Sequence, residues 1–320
     1  MNAILYRSYG PPEVLELGSL PDPVPGPGQV LVRIRAAALN PVDAEVRRGR
    51  FRPLPGQRLP KVPGCDFAGT VVALGAGTSG FQPGDAVYGM SYTWKGGALA
   101  GLIAISASQI AHKPVNLTFD EAAGIPLAGL TALQALHDLG HALPGKRVLI
   151  HGASGGVGVF AVQIARTYGM HVVATSSSAN LELTRMLGAH ESVDYRAQRI
   201  ETLPGGFDIC FDVYGNLSWP LMRPLLKPGG VYVTTIPSVR NFVHQVLSWF
   251  TRRRARVVLV QPIHADLSEL RALAENLDLK PVIDHVYPLA QAREAFARLE
   301  SRRARGKVVL EIPEPAADQG

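Results

Sequence analysis

The chain has 320 residues, 47% hydrophobic and 18% charged, which is long enough for two domains with their own cores and too apolar for a disordered chain. Its two cysteines, Cys65 and Cys210, lie far apart and exclude a disulfide framework or a CxxC metal site. No apolar run reaches the roughly eighteen residues of a membrane span, and Met1 to Gly10 is no apolar leader, so a cytoplasmic chain without stable membrane insertion is expected. The formal charge of +6 and pI near 9.4 suit a dinucleotide phosphate as well as nucleic acid. No RNP, helix-turn-helix or zinc-finger pattern stands beside the clusters at 252–256 and 302–305, so no nucleic-acid partner is expected.

In chain order, Gly10-Pro11-Pro12, the segment 21–28 and Arg52-Pro53-Leu54-Pro55-Gly56 punctuate short β-rich runs such as 29–36 and 70–74, the texture of a small β-barrel-like domain. From Thr118 the pattern changes. Thr118 with Glu121 forms a capping-box sequence for a helix through Ala128, and a second helix is expected over 131–139. Strands then recur at 147–151, 171–175, 209–213, 231–235 and 256–260 with helical stretches between most of them, the signature of a doubly wound parallel sheet. A helix at 266–277 closes that series. The tail reads as strand 282–286, helix 289–299 and strand 308–312, able to complete the first domain, before a frayed end at 314–320. The domains are therefore expected at 1–117 with 279–320, and at 118–278.

The strand at 147–151 runs into Gly152-Ala153-Ser154-Gly155-Gly156-Val157-Gly158 and then into helical spacing from Val159 to Tyr168. Glycines suit that place because the turn is tight, a pyrophosphate must approach bare N–H groups, and the helix must pack closely on its strand. The spacing is not G-x-G-x-x-G, so strand, turn, helix and second strand in the required order carry the reading. Where an Asp or Glu would hold the ribose of NAD, the chain has Thr175-Ser176-Ser177-Ser178. Hydroxyls donate to a 2′-phosphate that a carboxylate would repel, which favours NADPH. Asn180 and Arg185 are further candidates.

Six motifs then occur in one order: Asn40-Pro41-Val42-Asp43, Pro63-Gly64-Cys65-Asp66-Phe67-Ala68-Gly69-Thr70-Val71, Gly84-Asp85-Ala86-Val87-Tyr88-Gly89, Gly129-Leu130-Thr131-Ala132, the glycine turn, and Gly306-Lys307-Val308-Val309-Leu310. Together they resemble the medium-chain dehydrogenase/reductase superfamily, in its zinc-independent quinone oxidoreductase branch. The resemblance implies an α/β fold, a Rossmann doubly wound parallel sheet plus a GroES-like β-barrel-type substrate domain, with cofactor and substrate in the cleft between them. It also implies a homodimer made by edge-to-edge sheet extension through residues 256–260. In zinc alcohol dehydrogenases of the superfamily a Cys and a His near the first two motifs polarise the substrate oxygen. Here Asn40 stands in place of the cysteine and Cys65-Asp66 in place of a His-Glu pair, and the four-cysteine structural loop is absent. No metal is expected.

Carried over by position, Asn40 and Asp43 would face nicotinamide and substrate as the catalytic pair; the competing readings are a loop Asn capping the turn before Pro41 and an Asp at a helix start. Thr131 would bond near the carboxamide, Tyr195 would lie near the adenosine phosphate, and Tyr214 with Gly215 and Asn216 would border the nicotinamide. Ser154, Gly155, Gly156, Val157 and Gly158 would hold the pyrophosphate. Lys307 matches a family Gly-Lys signature, although a strand-start lysine facing solvent is the expectation for it. The implied activity is hydride delivery from NADPH to a quinone or α,β-unsaturated carbonyl. An enoyl-thioester reductase, or a non-catalytic NADPH-binding protein with a structural or RNA-binding role, are the alternatives.

The stretch Asn241 to Phe250, followed by Thr251-Arg252-Arg253-Arg254, admits three readings. A helix could wall an apolar substrate pocket with Phe242, Val246 and Trp249, or dip into a membrane surface. A helix packed on the protein with a charged end is expected, and with it no binding to anionic vesicles.

Overall fold

The computed structural model describes residues 1–52 and 57–313. The proline-rich turn expected at 53–56 and the frayed end expected at 314–320 lie outside the described residues. The chain divides into two compact units, Met1–Leu127 with Gln261–Leu277 and Pro281–Gly320, and Ala128–Val260 with Asp278–Lys280. Compared with the boundaries expected at 118 and 278, the first unit extends ten residues further at the first boundary, and also takes in the helix at 264–275.

The first unit is mainly β. Its strands are β1 Asn2–Leu5, β2 Glu16–Ser19, β3 Gln29–Leu39, β4 Asp66–Leu74, β5 Ala86–Met90, β6 Leu102–Ser106 and β7 Ile110–His112. After the second unit's six strands come β14 Ile283–Pro288 and β15 Lys307–Glu311. One mixed sheet runs β14-β15-β3-β4-β5-β7, with β6 also on β3. The strand expected at 308–312 thus completes the first domain by pairing antiparallel with β3, Val308 opposite Leu39. Inward Val30, Val32, Ile34, Phe67, Val87, Val308 and Leu310 form its core, joined by Phe296. α1 Pro41–Arg47 follows β3 directly. The Thr118 hydroxyl accepts from the Glu121 N–H and the Glu121 carboxylate accepts from the Thr118 N–H, the reciprocal cap read in the sequence. That helix, α2 Phe119–Ala123, is shorter than expected. Pro126, which has no N–H to continue the ladder, starts a new helix, α3 Pro126–Gln134. The next turn, Ala135–Leu139, widens to π geometry.

The second unit is a parallel sheet. Its strands are β8 Arg147–His151, β9 His171–Ser176, β10 Glu191–Asp194, β11 Phe207–Asp212, β12 Leu226–Thr234 and β13 Arg254–Val257, ordered β10-β9-β8-β11-β12-β13 with every pair parallel. That is the 3-2-1-4-5-6 order of a Rossmann fold, with the switch of direction beside β8. α4 Gly156–Thr167, α5 Leu181–Met186, α6 Trp219–Met222 and α7 Val239–Ser248 belong to this unit. α8 His264–Glu275 and α9 Ala292–Glu300 belong to the first.

The edge strand departs from expectation. β13 lies at 254–257, not 256–260. In a parallel ladder alternate N–H groups point away from the neighbour; on β13 those of Ala255 and Val257 donate to Ser248 Oγ and Gln245 Oε1 of α7, both at 2.9 Å. Edge-to-edge extension through this strand therefore meets donors that are already in use. Among the described residues no helix is long and apolar enough to cross a membrane.

Candidate functional site

Two constellations carry chemistry, one in each unit. In the second, β8 turns through Gly152, whose φ of +83° is the left-handed region that favours glycine. A Cβ on Gly158 would lie 2.2 Å from the Gly152 carbonyl oxygen, so only glycine lets α4 pack this tightly on the turn. Gly155 caps α4 without a side chain to fold over the helix end, and the first-turn N–H groups of a helix have no intrahelical partner. Backbone donors and the positive end of the helix dipole make this a place for an anion. Ser154 is tied to this turn, its Oγ accepting from Asn180 Nδ2 at 3.1 Å.

Beyond β9 the serines separate. Ser176 is buried and its hydroxyl donates to the Ser177 carbonyl, so it does not present itself to a ligand as expected. It lies within the strand, where the sheet buries it. Ser177 is half-buried and Ser178 exposed. Arg185 is exposed and paired with Glu182 at 3.2 Å.

The last residue of β8, His151, is the feature the sequence reading passed over. It is buried; Nδ1 lies 2.7 Å from the Thr175 hydroxyl and Nε2 2.8 Å from Asn216 Oδ1. An amide oxygen only accepts, so Nε2 holds the proton and Nδ1 accepts from Thr175. Burial holds this imidazole below its ordinary pKa, against the opposing pull of the Asp212 carboxylate and Asn216. Asp212 accepts from the N–H groups of Gly215 and Leu217 and from the Tyr232 hydroxyl, while burial pushes its carboxyl upward. The half-exposed rings of Tyr195 and Tyr214 stand edge-on to His151, with centroids 6.2 and 6.3 Å away. The structure thus brings Gly152, Tyr195, Tyr214, Gly215 and Asn216 together around His151. Thr131 is buried on α3.

In the first unit, neighbouring β15, β3 and β4 converge. Register sets Val308 opposite Leu39 and Ala38 opposite Asp66, so Lys307, Asn40 and Asp66 meet at one end of the sheet. The Lys307 ammonium donates to Asn40 Oδ1 and, at 3.2 Å, to Asp66 Oδ2. Asn40 Nδ2 donates to the same Asp66 oxygen at 2.9 Å, and the Leu127 N–H to Asp66 Oδ1 at 2.9 Å. Asp43 accepts from the Asn40 N–H at 2.8 Å and bonds Cys65. All five side chains are buried; Lys307 is only 2% exposed. The lysine expected in solvent is the cation of a buried network. Asn40 and Asp43 are held inside that network, with Asn40 also the N-cap residue of α1.

Burial pushes the Asp43 carboxyl up to about 7, partly opposed by the Asn40 N–H. It also raises Asp66, against the Lys307 ammonium and the Asn40 amide, and holds the Cys65 thiol well above its usual range. A metal would have to displace an ammonium already placed, and take a thiol that burial keeps protonated. This donor set does not fit zinc.

Two family models match the chain, an alcohol dehydrogenase GroES-like domain over residues 26–115 and a zinc-binding dehydrogenase over 187–310. A chloroplastic quinone oxidoreductase of Triphysaria versicolor is 35% identical, with 97% of this chain and 98% of that one covered. The chain belongs to the medium-chain dehydrogenase/reductase superfamily, in its quinone-oxidoreductase-like branch. An NADPH-dependent alkenal/one oxidoreductase of Arabidopsis thaliana is 36% identical over 97% of this chain and 79% of its own. The quinone oxidoreductase structure from Coxiella burnetii superposes with a TM-score of 0.89 at 31% identity, covering 98% and 99% of the two chains. The two units are the superfamily's pair, a GroES-like sheet domain and a Rossmann domain, as the sequence led one to expect, and the enzyme class is that of oxidoreductases.

Proposed function

We propose that the protein reduces quinones or α,β-unsaturated carbonyls with NADPH and without a metal. The observation that carries the metal-free part is the buried Lys307 ammonium, bonded to Asn40 and Asp66 where zinc relatives of the superfamily would bind their ion. The open end of α4 at Gly155 would hold the pyrophosphate. Ser177 and Ser178, where no carboxylate stands, would meet a 2′-phosphate, and Tyr195 would lie along the adenosine phosphate. Tyr214 and Gly215, fixed by Asp212 and by the His151–Asn216 bond, would border the nicotinamide.

When bound, the dinucleotide supplies a hydride, and a conjugated acceptor spreads the resulting charge onto its carbonyl oxygen, so no Lewis acid is required. The residues of this chain then bind and orient, which is the main demand of such a reaction. The names of the quinone and alkenal/one oxidoreductase relatives support this reading. A steady-state screen of NADPH and NADH oxidation against quinones, enals, enones and enoyl thioesters tests it. Turnover of quinones or enones with NADPH is expected; no oxidation with any acceptor would sink it.

A further inference from the structure

Most surface helices turn their apolar stripe inward. α7 does the reverse. Its inward face, Asn241, Gln245 and Ser248, is polar and meets the sheet edge: Gln245 and Ser248 accept the outward N–H groups of β13, and Asn241 Nδ2 donates to the Ile236 carbonyl. The Arg254 guanidinium ties the helix end to the Ser248 carbonyl at 2.8 Å. The outward face is Phe242, Val243, Val246, Leu247 and Trp249, running into Phe250, and all six are exposed; Trp249 is 57% and Phe250 85% accessible. The helix packs on the protein, as expected, but through its polar face. The edge strand needs acceptors, and the polar face provides them, which leaves the apolar face outside.

The segment that carries this face has charge of one sign. No Asp or Glu occurs between Asp212 and Asp266, and the same stretch holds Arg240, Arg252, Arg253, Arg254 and Arg256. Arg240 and Arg252, at either end of the helix, are exposed. Aromatic and branched side chains flanked by arginines are what the boundary between headgroups and acyl chains accepts, with apolar groups buried in the interface and guanidinium groups at lipid phosphates. We propose that α7 with the 249–254 corner is a docking surface for an anionic lipid bilayer, peripheral and non-spanning. This reverses the absence of vesicle binding expected from the sequence, and it does not depend on the reaction proposed above. A second copy is the weaker occupant, because an isologous contact through this face would bring like charges together.

The test is flotation of the full chain with phosphatidylcholine vesicles, alone and with roughly a third phosphatidylglycerol, at low and high salt. Binding to the anionic vesicles only, weakened by salt, is expected, with a blue shift of Trp249 emission. The exposed pair Trp249→Ser with Phe250→Ser should lower partitioning at least about tenfold, and Arg240→Gln or Arg252→Gln about fivefold each, with thermal midpoints unchanged. No flotation of the native chain, equal binding to neutral vesicles, or unchanged binding by the variants would overturn the proposal. So would an oligomer that Trp249→Ser with Phe250→Ser dissociates while the native chain ignores vesicles, since a second copy would then be the occupant.

Discussion

Lys307→Met removes the ammonium while keeping a side chain of similar length, and leaves the fully buried Asp66 with only the Asn40 amide and the Leu127 N–H. Removing one partner of a buried ion pair typically costs about 3–5 kcal/mol. Asp66 has one escape, to take up a proton; at pH 7 that costs about 4 kcal/mol for a carboxyl of ordinary pKa, at about 1.4 kcal/mol per pH unit. The two routes agree, so the variant should lose about 3–4 kcal/mol at pH 7. In the variant the folded state holds the Asp66 proton more tightly than the unfolded chain does. The penalty must then shrink as the pH is lowered towards 4, by at most about 1.4 kcal/mol per unit because burial already raises Asp66 in the native chain. Urea unfolding followed by circular dichroism across that range measures it, with the transition of the first unit fitted separately because two units need not unfold together. Adding Asp66→Asn should restore most of the loss. A penalty below about 1 kcal/mol at pH 7, or one independent of pH, would refute the buried pairing.

Asp43, with a folded pKa near 7 against an ordinary 3.8, contributes stability that is present below pH 3.8 and lost as pH rises through 7. Asp43→Asn, which keeps an acceptor for the Asn40 N–H, should therefore flatten the stability profile between those limits and gain on the native chain by up to about 4 kcal/mol above them; identical profiles would count against the raised carboxyl. Gly158→Ala puts a methyl 2.2 Å from the Gly152 carbonyl oxygen, so the turn must open. Stability should fall by about 1–3 kcal/mol and dinucleotide affinity, read by fluorescence titration, at least about tenfold. Ser177→Ala with Ser178→Ala should weaken NADPH binding several-fold and leave NADH unchanged; equal losses for both would show that these hydroxyls do not meet a 2′-phosphate.

Local signals were legible wherever a local cause set the structure. The Thr118 to Glu121 cap, the strand-glycine-helix order at 147–158 and the β-rich texture before Thr118 follow from spacing and backbone chemistry, and each stands in the fold. What escaped depends on partners distant in sequence. Lys307 looks like a solvated strand start until β15 sets it beside Asn40 and Asp66, 267 and 241 residues away. His151 reads as a strand end, and only the β8–β9 pairing and the loop after β11 give it Thr175 and Asn216. For α7 the periodicity shows two faces but not which one turns inward; the unsatisfied N–H groups of an edge strand decide that.

The most direct measurement follows NADPH consumption with an α,β-unsaturated carbonyl before and after exhaustive dialysis against a chelator, with zinc quantified in the same sample. Unchanged kcat/KM at substoichiometric zinc is the predicted result. Activity lost on chelation and restored by added zinc would contradict a site whose cation is Lys307.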